Sequence, residues 1–208
     1  MCIRDSATTY ARLQEFRDVL TVEVAGNARV VRSSGGAATG SVVSEGMGYG
    51  LLLAGITAAA EARGSASWRA AIWFGEQLFA GWRRMCEESR ESCQDDDPRA
   101  RCGGRLKRTG EGPTRCRTPC VRYWRFDNQI RKQSDPGSAV DADEDALLGL
   151  VLLVQASDRE SWPGWETVAL WAYESCRAFL RFNTLPYAEG RLPRLGSCWG
   201  GWDCANPS

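Results

Sequence analysis

Residues 41–55 read SVVSEGMGYGLLLAG. A polar, β-branched lead-in gives way to a small, apolar run, with one acid, Glu45, at the junction. Tyr49, Leu52, Leu53, Ile56 and Ala60 recur at i, i+3, i+4, i+7 and i+11, a stripe that predicts a helix. Ser44 is of the residue type that caps such a helix, which puts Glu45 in the first turn. On spacing alone a first-turn glutamate complements the helix dipole, worth about a few tenths of a kcal/mol. The glycines ask for more. Gly46, Gly48 and Gly50 each cost about 1 kcal/mol relative to alanine inside a helix. Three of them predict that another backbone, or a ligand, approaches closely.

The same period appears elsewhere. Tyr10, Leu13, Phe16 and Leu20 form one stripe, and Trp68, Ile72, Phe79 and Trp82 another. Trp165, Val168, Ala169, Ala172, Cys176, Phe179 and Leu180 make the longest. Residues 146–156, ALLGLVLLVQA, are apolar nearly all round and predict a helix covered on every side. Strand signals are confined to residues 21–24 and 28–32, TVEV and ARVVR, with Gly26 and Asn27 between them as a hairpin turn. The fold class is all-α, with the remaining segments read as loops.

Lys and Arg total 26, as do Asp and Glu. That balance gives no global field for nucleic acid or an acidic membrane surface, so neither is an expected partner. Histidine is absent, which removes Ser-His-Asp and Cys-His nucleophilic sites and the commonest zinc ligand. The chemistry must rest on carboxylates, Tyr, Lys or Cys.

Nine cysteines without a CxxC pair favour disulfides in an oxidising compartment over metal binding or free thiols. Setting Cys2 aside leaves an even set, in which Cys198 and Cys204, on a short Gly/Trp loop, are the expected local partners. A secreted, extracellular protein is expected. No secretory signal is visible in MCIRDSATTY, so the native start is expected upstream, and residues 1–6 are set apart as similar to translated adapter sequence. Residues 86–120 run from an acidic end to a basic one, with five cysteines and almost no large apolar residue. This insertion reads as a disulfide-stapled surface loop, or else as a flap at a substrate edge.

A second acidic group lies in residues 138–147, SAVDADEDAL, where Asp141, Asp143 and Asp145 alternate. A calcium loop begins this way but requires Gly at its sixth position and Glu at its twelfth, and here those are Ala146 and Leu152. No metal is expected. Asp141 or Asp143 capping the following helix is the plain reading. Their place immediately before a helix apolar on all faces puts them near the core.

Taken together, the two motifs carry a resemblance. SEGMGYGLLLA is similar to the S-E-G-x-x-Y-G-x-L-L-A signature of glycoside hydrolase family 8, and AVDADEDAL resembles that family's A-(S/T)-D-(A/G)-D segment. ARVVRSS before the first motif and DCANPS at residues 203–208 agree with it as well. The likeness runs from about residue 11 to residue 208, broken by the Cys-rich insertion. Val140 stands where the family has Ser or Thr, and Ala146 with Leu147 replaces its Ile/Met-Ala pair.

The resemblance implies an (α/α)6 barrel of twelve helices. At about 11–12 residues per helix plus loops, twelve helices need well over this length, so residues 7–208 are expected to be about the first half of the catalytic domain. It further implies an inverting glycosidase cutting β-1,4-glucan internally, without a cofactor and as a monomer acting on a polysaccharide. Chitosan, xylan or mixed-linkage glucan are the alternative substrates, and a non-catalytic carbohydrate-binding relative is the other reading. Glu45 aligns with the general acid. Asp141 aligns with the residue that contacts the sugar at the cleavage subsite, and Asp143 is its neighbour. Tyr49, Trp124, Trp199 and Trp202 are candidate sugar-stacking faces. A helix N-terminus favours an ionised carboxylate, so the acid role requires burial beside Asp141 or Asp143. The general base is expected downstream of residue 208.

Overall fold

The computed structural model describes residues 6–24, 26–32, 40–88, 125–130, 133–135, 139–182 and 184–193. Five helices carry it: α1 (Ser6–Leu20), α2 (Ser44–Ala60), α3 (Ala66–Glu88), α4 (Val140–Ala156) and α5 (Trp165–Phe182). The expected all-α class is the class observed. Five helices do not by themselves define ring closure into a barrel.

Every helical stripe read from the sequence lies in a helix. In α1, Leu13 is buried, with Tyr10, Phe16 and Leu20 packed against the core. In α3, Trp68, Ile72, Phe79 and Trp82 are all buried. Phe79 meets Trp162 and Trp171 edge-on, at ring-centroid distances of 6.3 and 5.8 Å. The expected hairpin is β1 (Thr21–Val24) paired antiparallel with β2 (Ala28–Val31). Its turn carries positive φ at Gly26 (77°) and Asn27 (61°), and these two residue types tolerate that conformation best.

Two further sheets correct the reading of the remainder as loops. β3 (Val42–Val43), β4 (Arg125–Phe126) and β5 (Gln133–Asp135) form a three-stranded antiparallel sheet that leads directly into α2. β6 (Thr184–Tyr187) pairs with β7 (Gly190–Pro193) across Ala188 and Glu189. A proline in each of β6 and β7 hides that hairpin from a strand search.

The α2 stripe is also corrected. The buried residues of α2 include Met47, Leu51, Ala54 and Ala58, a set at i, i+4, i+7 and i+11. Tyr49 is instead exposed, and Leu52, Leu53 and Ile56 are only half-buried. Large side chains dominate a hydropathy pattern, whereas beside Met47 and Leu51 this helix buries small residues, Gly48, Ala54, Gly55 and Ala58.

That small-residue face answers the question the glycines raise. A Cβ on Gly48 would lie 2.7 Å from the carbonyl oxygen of Ala142 and 3.3 Å from Cβ of Asp145, and one on Gly55 would lie 2.6 Å from the carbonyl oxygen of Gly149. The approaching backbone is α4. Gly46 and Gly50 face side chains instead, those of Val31 and Leu78. Contacts step seven residues along both helices together, so α2 and α4 run parallel with their N-terminal ends side by side. Helix α3, which follows α2 in the chain, runs back antiparallel to both: near its start, Trp68 donates from Nε1 to the carbonyl oxygen of Ala156, at the end of α4, at 3.2 Å.

The helix of residues 146–156 begins six residues early, at Val140, so the acids lie within it rather than before it. It is not covered on every side, because Leu148 is 52% exposed. In α5, Val168 and Ala172 are buried while Leu180 is exposed. Residues 86–88, the start of the expected Cys-rich insertion, are the last turn of α3. Residues 89–124 lie outside the described residues, as do Cys198 and Cys204. Cys176 on α5 carries a free thiol.

Candidate active site

The parallel crossing of α2 and α4 sets two positive helix-dipole ends beside one another, and carboxylates in the first turns offset them. Glu45 lies in the first turn of α2, and Asp141 and Asp143 in that of α4. Val43 and Ala139 occupy the N-cap positions and make no side-chain cap hydrogen bond, which corrects the N-cap roles given to Ser44, Asp141 and Asp143; Asp141 lies inside the first turn, where its Oδ1 accepts from the Ala142 N–H at 2.8 Å. The pairing of Val42 and Val43 with Phe126 and Arg125 holds extended backbone up to the first helical residue. Ser44 therefore enters the helix and is 1% exposed. Its Oγ has no hydrogen-bond partner among the described residues.

Glu45 and Tyr49 stand one helical turn apart on the side of α2 opposite Met47 and Leu51. Both are exposed, Tyr49 at 49%, so the burial expected for Glu45 is not found. Their contact is direct: the Tyr49 hydroxyl donates to Glu45 Oε1 at 2.8 Å. This holds the phenol protonated, with its pKa pushed up to about 12. The hydrogen bond to Glu45 is the largest cause, followed by the charge of Glu45, burial, and the charges of Asp145 and Asp141.

On α4, residues four apart share a face and residues two apart do not. Asp141 and Asp145 therefore project together, with Asp145 against α2 at Gly48. Asp143 points away from them and is 4% exposed. The alternation that singles out Asp143 in the sequence is a strand-like spacing, whereas the helix selects Asp145. An earlier helix start would have revealed it, since the i, i+4 relation to Asp141 is then plain.

The carboxyl of Asp145 titrates above its ordinary range, first because burial disfavours its charge, then through the charges of Asp141 and Glu45. Glu144 is shifted the same way, by burial and then by Asp145 and Asp141. A carboxyl raised in the folded state favours folding below its unfolded value and loses that contribution as pH rises through the folded one. Asp145→Asn is therefore expected to melt above the parent chain at pH 7. The gap should close as pH falls below the ordinary value of 3.8, a trend read from Tm against pH for both proteins.

The other predicted contacts, Trp124, Trp199 and Trp202, lie outside the described residues. Among the described residues, no group of three or more Cys, Asp or Glu is placed to hold a metal ion, and no helix is long and apolar enough to cross a membrane. A cavity of about 550 Å³ lies between α3 and α5, lined by Glu76, Arg83, Arg84 and Thr167 among others. It shares no residue with the Glu45 cluster. Phe79 and Trp162 form part of its wall but are buried, which leaves no open aromatic face for a sugar.

No protein-family model matches the chain, and no curated protein matches it. Among solved structures it is similar to the endo-beta-1,4-glucanase CMCax from Acetobacter xylinum, with a TM-score of 0.53 and 18% sequence identity. The likeness covers 92% of this chain and 44% of that one, so the chain spans less than half of that enzyme's length. Over the stretch the two have in common, the chain has the all-α fold of an endo-β-1,4-glucanase.

Proposed function

We propose that the chain is part of an inverting glycoside hydrolase of family 8 type that cleaves β-1,4-glucan internally. The observation that carries this reading is the glycine-seamed crossing of α2 and α4. It brings Glu45 of the first motif and Asp141 of the second to the same end of two parallel helices, nearly a hundred residues apart in sequence. The fold shared with an endo-β-1,4-glucanase supports it. So does the alternation of parallel α2 and α4 with a returning α3, the arrangement that inner and outer rings of an (α/α)6 barrel require.

In this reading bound substrate covers the exposed Glu45 and supplies the burial that the acid role requires, and Glu45 protonates the glycosidic oxygen as the C1–O bond breaks. A second carboxylate takes a proton from the water that attacks C1 from the opposite face. That base lies outside the described residues. Asp141 binds the sugar at the cleavage subsite, and Asp145 takes the supporting place that the sequence reading gave to Asp143. Two carboxylates and water complete the reaction without a cofactor. A polymer substrate outside the cell agrees with a secreted, monomeric enzyme.

The test uses the polypeptide encoded by the full open reading frame, assayed on carboxymethylcellulose, chitosan, xylan and mixed-linkage glucan. NMR identifies the first anomer released. Hydrolysis of carboxymethylcellulose giving the α-anomer is expected. Preference for another polymer would redirect the substrate, a β-anomer would overturn inversion, and binding without turnover would favour a carbohydrate-binding protein.

A further inference from the structure

We propose that Tyr49 is a positioning residue for Glu45 rather than a stacking face for sugar, and that its hydroxyl fixes the transferable proton on Glu45 Oε2. This rests on the reading of Glu45 as the general acid. The two residues are an i, i+4 pair on a helix of 17 residues, so the 2.8 Å contact from the Tyr49 hydroxyl to Oε1 is built into the backbone spacing. In a protonated carboxyl group the carbonyl oxygen is the better acceptor, and the other oxygen bears the hydrogen. A phenol donating to Oε1 therefore assigns the proton to Oε2, the oxygen left free for a leaving group.

The proton balance gives Tyr49 a second task. When the Oε2–H bond breaks, its proton goes to the glycosidic oxygen, and the C1–O bonding pair goes to that same oxygen. The water that attacks C1 supplies the new hydroxyl, and its proton passes to the base. Glu45 is left as a carboxylate, and a charge-assisted hydrogen bond from Tyr49 stabilises that charge as it develops. For this Tyr49 must stay protonated across the working pH range, and its pKa of about 12 ensures that it does. The groups facing the pair are Glu45 itself on α2 and Asp141 and Asp145 on α4.

The contact can be tested on the 208-residue chain by following tyrosinate absorbance at about pH 10, where an ordinary tyrosine is half ionised. Subtraction of the Tyr49→Phe spectrum isolates Tyr49. In the parent chain about one Tyr49 in a hundred should be ionised, whereas Glu45→Gln should raise that share several-fold. An unchanged share in Glu45→Gln would overturn the proposal.

The role is tested on the open-reading-frame product. Tyr49→Phe keeps the ring and should lower kcat about tenfold at constant KM, while Tyr49→Leu should lower it no further. If Tyr49→Phe is neutral and Tyr49→Leu raises KM, stacking replaces positioning. Coupled titration without any hydrolysis would overturn the glucanase reading, and with it the role of Tyr49. Hydrolysis with uncoupled titration would overturn the positioning role alone.

Discussion

Glu45→Gln is expected to lower kcat on carboxymethylcellulose by about 10²- to 10⁴-fold, the range that a general acid contributes. Glutamine keeps the shape of the side chain and can still accept the Tyr49 hydrogen bond, but it has no proton to give to a glycosidic oxygen. Since Glu45 is exposed, the substitution should leave the fold and its Tm in place. A group needed only as the bond breaks lowers kcat and kcat/KM together, with KM little changed. An aryl glycoside with an acidic phenol as leaving group needs little protonation, so Glu45→Gln should lose far less on that substrate. Equal loss on both substrates, or full activity on carboxymethylcellulose, would remove Glu45 from the acid role.

The second large effect is structural. Gly149→Ala would put a Cβ 2.4 Å from the carbonyl carbon of Leu51, and 2.5 Å from both the oxygen of Leu51 and the nitrogen of Leu52. Helix propensity alone predicts a gain of about 1 kcal/mol for this change. The obstructing atoms are backbone, however, and no rotamer can move them aside, so overpacking at the upper end of about 1–3 kcal/mol outweighs that gain. A net loss of about 2 kcal/mol is expected, or about 4–8 °C in Tm for a chain of this size. Leu148→Ala is the control: its side chain is 52% exposed, and its loss should cost under about 1 kcal/mol. Equal melting of the two variants would show that the α2–α4 seam is looser than the structure has it.

Much of the fold was legible because it is local. Helices α1, α3 and α5 each carry large apolar side chains at the helical period, and the β1–β2 turn carries the two residue types that accept positive φ. Other features had no local signal. The β3–β4–β5 sheet joins strands of two or three residues across some eighty residues of chain, and no pattern within so short a strand identifies its partner. The buried face of α2 was misread because glycine and alanine, which let α4 come close, add nothing to a stripe of large side chains.

The candidate site divides the same way. The sequence by itself determined that histidine chemistry has no place here, since it has no histidine, and it marked Glu45, Asp141 and the glycines beside Glu45. Tertiary structure alone decided which acids meet. It started α4 at Val140, which turned an alternating run of aspartates into a helical one. That brought Asp145 to the face of Asp141 and turned Asp143 into the interior. The physical reason is the 100° advance per residue of a helix, combined with a crossing so close that only glycine can occupy it.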